Sequence, residues 1–380
     1  MKRKTIFAIV LITVLLIPLW AQTETDFQVT ITQDLQGVVI TGYNGTAMVV
    51  RVPDTIQGMP VREIGGAVVD RRGSISGNGA FQNSRITSVI IPEGVTSIGN
   101  SAFANCTQLT SVTLPSTLTT IGNQAFLSTR LQSILIPEGV ISIGDSAFAD
   151  CTQLTSVTLP SSLTSTGRQA FEGSGLRTIA IPEGITSIDL QAFHMCAQLT
   201  TVTLPSTLTS IGENAFRSSG LRSIVIPEGV TIIGTSAFYE CTQLSAVTLP
   251  STMTSIGDLT FFASGITSIY WPAQLTTIPS RTFSRTRLQS IEIPEGVVAI
   301  GDYAFEGCTA LTGVSLPSTI TTIGAEAFRN CTTLTTITIP VTVARIQFTA
   351  NWGQNNAFQG GNINLVSQAA LRRIGYIDNF

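Results

Sequence analysis

Along the stretch from Leu109 to Phe126 the apolar side chains fall at Leu109, Val112, Leu114, Leu118, Ile121, Ala125 and Phe126. Val112 and Leu114 stand two apart with Ser111 and Thr113 in alternation, a strand pattern that Pro115 brings to a stop. Beyond the proline the apolar positions come three or four apart across Gly122, too short a run for a full helix. That spacing predicts a turn with a short 3₁₀ or helical piece. Each unit therefore reads as one strand and one return.

The unit recurs along the chain. Proline stands at 92, 115, 137 and onward to 340, and phenylalanine at 81, 103, 126 and onward to 328, always 22 or 23 residues apart. A unit of this size cannot bury its own apolar edge. Stacking aligns each Leu, Val and Phe with its counterpart above and below, so the repeat predicts a solenoid with a laddered core. With strands about 4.8 Å apart, about thirteen coils make a parallel sheet roughly 60 Å long on the concave face. Coils with a cysteine three residues after the Phe (Cys106, Cys151, Cys196, Cys241, Cys308, Cys331) are the longer ones and carry Leu-Pro-Ser-Thr-Leu, as at 114–118 and 204–208. The shorter ones carry Ile-Pro-Glu-Gly-Val, as at 91–95 and 136–140. The true period is two coils. It slips once, where the coils entered at Trp271-Pro272 and Ile293-Pro294 are both short.

The ends depart from the repeat. Lys2, Arg3 and Lys4 precede an apolar stretch from Thr5 to Trp20, the organisation of a signal peptide at 1–21 with cleavage after Ala21. Residues 22–80 are expected to form an amino-terminal cap with a strand through Phe27–Ile31, a divergent first repeat and an inserted loop at 66–79 holding Arg71 and Arg72. The array is expected over 81–346. A carboxy-terminal cap is expected over 347–380, with a short closing helix at 368–376. No stretch after the leader is apolar enough to span a membrane, so the mature chain is expected to have no transmembrane span.

Charged residues are 11% of the 380, against about 25% in typical soluble domains, so Ser, Thr and Gly supply the polar surface. The net charge is −3 and no Lys/Arg run follows residue 4, which argues against a nucleic-acid partner. His194 is the single histidine and reads as a turn residue; no Ser-His-Asp or Cys-His arrangement recurs around it, so an enzyme is not expected. Cys106, Cys151, Cys196 and Cys241 lie two coils apart, roughly 10 Å and beyond the reach of about 7 Å for a bridge. Cys308 and Cys331 are one coil apart and can approach, yet occupy the same small inward position. All six are expected as free thiols packing as small hydrophobes. No Cys-x-x-Cys suggests zinc. Glu93, Glu138, Glu183, Glu228 and Glu295 recur at one turn, too far apart to share a calcium ion. They read as a solvated ladder near Arg130, Arg177, Arg222 and Arg287. Neither a metal nor a cofactor is expected.

The sheet surface is more informative. The outward strand position runs Ile90, Thr113, Leu135, Thr158, Ala180, Thr203, Val225, Thr248, Tyr270, Glu292, Ser315, Thr338. β-Branched residues favour strands whatever the surface does. Even so, Ile90, Leu135, Val225 and Tyr270 are apolar points on a mostly uncharged sheet, the kind of patch that marks an interaction site. The candidate ligand-binding row is Ile90, Thr113, Leu135, Thr158, Thr203, Val225, Thr248, Tyr270 and Glu292, and its alternation lapses at Tyr270 and Glu292, beside the slip. Trp271 is expected in the core.

The segment from Cys106 to Phe126 resembles, nearly position for position, the BspA-type or treponemal-type leucine-rich repeat, and the resemblance covers about residues 80–346. It implies a leucine-rich-repeat solenoid. Members of that family are exported or surface proteins of bacteria and some protists, often implicated in adhesion to host proteins or other cells. The expected function is thus an exported, secreted or surface-exposed binding protein, adhesin-like, engaging a protein ligand such as a host or neighbouring-cell surface protein through the concave sheet. The alternative is a self-associating structural component of the cell envelope.

Overall fold

The computed structural model describes residues 22–66, 68–69, 75–76, 78–343, 345–346 and 358. The leader at 1–21, much of the 66–79 loop and, Phe358 apart, the cap at 347–380 lie outside the described residues.

Each coil of the array carries two strands where the apolar spacing predicted one. The first is the expected three-residue strand, such as Ser133–Leu135 or Thr201–Thr203, with its middle residue turned into the core. A second strand of two residues lies in the return, such as Ser97–Ile98 or Thr120–Ile121, with its isoleucine buried. Both kinds pair in parallel and in register with the coils beside them, as Ser133 does with Ser156 and Ile121 with Ile143. The solenoid therefore has two ladders.

The rest of the return is turn, not helix. In the arc after Gly99, Ala102, Ala104 and Cys106 donate to carbonyls three residues back, while the alternate Ser101, Phe103 and Asn105 donate to Asn123, Ala125 and Leu127 of the next coil. Ser101 (φ 57°) and Asn105 (φ 59°) sit in the left-handed region and turn alternate peptides outward to that next coil. A helix would keep all these bonds within one coil. Here half of them bind coil to coil.

The glycine before this arc is required by close approach. A Cβ at Gly144 would lie 2.5 Å from Asn123 N and 2.6 Å from Gly122 C, and one at Gly257 2.4 Å from Thr235 N. Where the glycine is replaced, the second ladder breaks. It runs from the cap through Ser165–Thr166, resumes at Ser187–Ile188 through Ser255–Ile256, and resumes again at Thr277–Ile278 through Arg345–Ile346. Asp189 and Pro279 occupy the glycine position of the coils that open the second and third segments. Pro279 also lacks the N–H with which Gly301 reaches Ile278 O at 2.8 Å.

The first ladder explains the two-coil period. Its strands pair in couples, Ser133–Leu135 with Ser156–Thr158, Thr178–Ala180 with Thr201–Thr203, Ser223–Val225 with Ala246–Thr248. Each couple is bracketed by the glutamate of its short coil. Glu138 accepts from Ser161 N at 3.1 Å and Ser161 Oγ at 3.0 Å, and Glu93, Glu183, Glu228 and Glu295 do the same to Ser116, Ser206, Ser251 and Ser318. Arg130, Arg177, Arg222 and Arg287 form no ion pair with these glutamates among the described residues, contrary to the sequence expectation. The in-register serine of the next coil already supplies two donors.

Behind the ladders the Phe column is fully buried, its rings stacked at centroid separations from 5.0 Å (Phe305–Phe328) to 5.8 Å (Phe261–Phe283). At the amino-terminal end Phe27–Ile31 and Val38–Tyr43 form an antiparallel hairpin, and Val38–Tyr43 then pairs in parallel with Met59–Ile64. This hairpin continues the second ladder, and Phe27 and Tyr43 cover Phe81.

Candidate functional site

The outward row of the first ladder stands as a line of side chains at the third position of successive strands. Leu135 and Val225 are each 69% exposed and Tyr270 67%. Thr113, Thr158, Thr203, Thr248 and Glu292 are exposed as well, whereas Ile90 is only half-buried because it lies against the cap strand Val49–Arg51. The pleat that buries Ile134, Ile224 or Ile269 is what turns their neighbours to solvent.

These residues do not form one uniform surface. Couples of strands divide the row up to Thr248, but from Ser268–Tyr270 onward four strands pair without interruption, through Ser290–Glu292 and Gly313–Ser315 to Thr336–Thr338. Within this run Tyr270 stands directly opposite Glu292. A depression of about 390 Å³ lies there, lined by Ala246, Val247, Ser268, Ile269, Tyr270, Ser290, Ile291 and Glu292. It offers an aromatic face, a carboxylate and two serine hydroxyls over an apolar floor. That combination suits recognition of a polar-and-apolar macromolecular surface.

The coil below that depression is irregular inside. Trp271 is fully buried, as expected, and meets Phe283 edge-on at 5.5 Å, but its Nε1 has no hydrogen-bond partner. Ser264 Oγ in the same coil is likewise buried and unpartnered. Regular coils place a cysteine above that hydroxyl; here the next coil supplies Thr286, which bonds to Phe283 O and to Cys308 instead. Ala273 also takes the place of the bracketing glutamate.

A second depression, of about 970 Å³, lies at the amino-terminal edge among Met48, Val49, Val52, Pro53, Ile90 and Pro92. Gln22 closes the strand beside it. Its Nε2 donates to Val49 O at 2.8 Å and its Oε1 accepts from Arg51 N at 2.5 Å, so a side-chain amide stands in for the peptide group of a further strand. Nothing in the repeat pattern announced this residue.

At the position directly after each Phe only His194 was singled out from the sequence, as a turn residue, and its neighbours were missed. That position changes from Ala104, Leu127 and Ala149 to Glu172, His194, Arg217, Tyr239 and Phe262, a change visible by reading that one column. Glu172 Oε1 lies 2.7 Å from His194 Nδ1, Arg217 sits over the Tyr239 ring at 4.5 Å, Tyr239 stacks on Phe262 at 4.7 Å, and Arg285 lies over Phe262 at 5.5 Å. His194 is thus one member of a polar and aromatic stripe along the turns.

The thiols are buried and free. Burial pushes Cys151, Cys196 and Cys241 up to about 11, against the smaller downward effect of hydrogen bonds from Thr129, Ser174 and Ser219. They stay protonated near neutral pH, which makes them poor nucleophiles and poor metal ligands. Among the described residues no group of His, Cys, Asp and Glu is arranged to hold a metal ion, and no helix is long and apolar enough to cross a membrane.

Comparison with known proteins agrees with this architecture. The chain matches the BspA-type leucine-rich repeat region over residues 74–196, 119–245, 168–287 and 231–364. It is similar to the crystal structure of a leucine-rich repeat protein from Bacteroides ovatus, with 30% identity over 88% of this chain and 91% of that one and a TM-score of 0.70. The pneumococcal vaccine antigen PcpA shares the fold at 17% identity, covering 91% of this chain and 94% of that chain, TM-score 0.51. No curated protein matches the chain. With the repeat-family match running from residue 74 to residue 364, well over half of the chain, the chain belongs to the BspA-type leucine-rich repeat family.

Proposed function

We propose that this chain is an exported binding protein that engages a protein partner through the outward row of its first ladder, with Tyr270 and Glu292 at the centre of the contact. One observation carries the reading: the only uninterrupted four-strand run of that ladder among the described residues begins at Tyr270, and Tyr270 and Glu292 flank a depression on it. Tyrosine is among the side chains that most often dominate interface energetics. Export is supported by the basic start and apolar stretch of residues 2–20. Adhesion, with Leu135 and Val225 extending the contact along the row, is the form of binding that the family resemblance favours.

The test uses a partner recovered by pull-down with the purified chain. The double variant Tyr270→Ala, Glu292→Ala is expected to weaken binding by about tenfold or more. Ile141→Ser and Ile232→Ser, exposed at the edge of and within second-ladder strands, are expected to leave it unchanged. Unchanged binding when Tyr270→Ala is combined with Leu135→Ser and Val225→Ser would overturn the choice of face. A second reading, self-association in the envelope, draws on the exposed apolar points Ile232, in a strand of the second ladder, and Ile141 and Val298, each just before one; it requires ordered oligomers in light scattering that Ile141→Ser and Ile232→Ser disperse.

A further inference from the structure

The position three residues after each Phe points into the core and alternates between a hydroxyl and a thiol. It runs Ser84, Cys106, Thr129, Cys151, Ser174, Cys196, Ser219, Cys241, Ser264, Thr286, Cys308, Cys331. Each thiol up to Cys308 is hydrogen-bonded to the hydroxyl one coil below: Ser84 to Cys106 at 3.4 Å, Thr129 to Cys151 at 3.2 Å, Ser174 to Cys196 at 3.4 Å, Ser219 to Cys241 at 3.3 Å and Thr286 to Cys308 at 3.4 Å. A hydroxyl thus separates every thiol from the next one, except at the end of the column. There the neighbour of Cys331 in the adjacent coil is Cys308, 23 residues earlier and in the register of Gly313 with Thr336, and no hydroxyl stands between the two thiols.

We propose that Cys308 and Cys331 are a disulfide site, joined when the chain folds in an oxidising compartment, while the other four cysteines remain thiols. Residues in register on adjacent coils are about 5 Å apart, inside the window of about 4.4–6.8 Å between alpha carbons that a disulfide spans without backbone movement. The coils meet closely here, with the Phe305 and Phe328 rings at 5.0 Å. In the folded chain both sulfurs are buried, so the chemistry belongs to folding, before these coils close. The Cys308 thiolate attacks one sulfur of an oxidant disulfide, whose S–S bond breaks and releases one thiolate. The Cys331 thiolate then attacks the sulfur of Cys308 in the mixed disulfide and expels the second. Two protein thiols are oxidised to one disulfide, the oxidant is reduced to two thiols, and the two protons pass to the departing thiolates.

The natural setting rests on the export reading, but the pairing is tested without it. The purified full chain is unfolded, refolded in a buffer of oxidised and reduced glutathione, alkylated under denaturing conditions and mapped by mass spectrometry. Expected is one linkage between Cys308 and Cys331, with Cys106, Cys151, Cys196 and Cys241 alkylated. Six alkylated cysteines, or linkages that involve the other four, overturn the proposal. Cys331→Ser restores the hydroxyl neighbour found elsewhere in the column and is expected to show no linkage and a urea midpoint indifferent to reductant, whereas reductant lowers that of the oxidised parent chain. Equal sensitivity of the two chains overturns it as well. Export is read separately, by fractionating cells that express the chain with its leader: a chain retained in the cytoplasm removes the setting and leaves the pairing result standing.

Discussion

From Phe103 to Phe238 the coils repeat with their contacts nearly complete: alanine before each Phe, glycine before each arc except at Asp189, a glutamate bracket on each couple and a hydroxyl beside each thiol. From Phe261 to Phe305 the same positions hold Thr260 and Thr282 for alanine, Pro279 for glycine, Ala273 for glutamate and Thr286 for cysteine. The two threonine hydroxyls are satisfied within their own turns, at Gly257 O and Pro279 O. Their added bulk accompanies the widest separation in the Phe stack, 5.8 Å between Phe261 and Phe283. The regular coils put every repeated side chain to use in holding the next coil. The slipped coils give up several of those bonds and gain an unbroken outward sheet with Tyr270 on it. Residues that break a local rule without a local compensation are where function is expected to sit.

The largest effect should come from breaking the regular stack. Phe216→Ala removes a fully buried ring from between Phe193 and Phe238 and is expected to destabilise the chain by about 3–5 kcal/mol in urea unfolding. Gly144→Ala, which forces a Cβ against the backbone of the preceding coil, is expected to cost about 1–3 kcal/mol. Its counterpart at the slip runs the other way: Pro279→Gly supplies the missing N–H and should increase hydrogen-exchange protection over Ser255–Ile256 and Thr277–Ile278. Trp271→Phe trades buried apolar volume for relief of an unpartnered N–H and is expected to change stability by no more than about 1 kcal/mol. A loss comparable to that of Phe216→Ala would show that the slip is as tightly determined as the regular coils.

The smallest effect per site concerns pH. The serine backbone N–H first, and the serine hydroxyl with it, hold Glu93, Glu138, Glu183 and Glu295 below the ordinary glutamate value of 4.5, and the backbone bond from Ser251 leads likewise at Glu228. A depressed carboxylate contributes stability above its unfolded value and loses it as pH falls through the folded one. The urea midpoint should therefore drop as pH falls below 4.5, and the drop should shrink when Glu138→Gln and Glu183→Gln are combined. A midpoint indifferent to pH in that range would mean that solvent screens these exposed brackets completely.

Much of the fold was legible in the sequence because a solenoid coil contacts its own copies, so one unit's alternation at Val112 and Leu114 and its Phe126 predict the whole first ladder and the ring stack. The second ladder was not legible. Its two-residue strands carry a single inward residue, an isoleucine in most coils and Thr166 in one, too little for a period-two pattern, and the left-handed Ser101 and Asn105 that turn peptides toward the next coil are not residues that demand such a conformation. The outward row could be placed by residue from the pleat alone. The crowding at Tyr270 and Glu292, the amide of Gln22 against Val49 and Arg51, and the stripe from Glu172 to Arg285 depend on side chains that meet across coils.

What the sequence determined by itself is periodic: coil length, the inward and outward faces of the first strand, the two-coil alternation and the place of the slip. Tertiary structure decided the partnerships that arise from stacking at about 5 Å, a distance at which the identity of one residue is felt only by the residue in register with it. Glu138 becomes a bracket because Ser161 lies above it, and Ser264 becomes an orphan because Thr286 stands where a cysteine usually does.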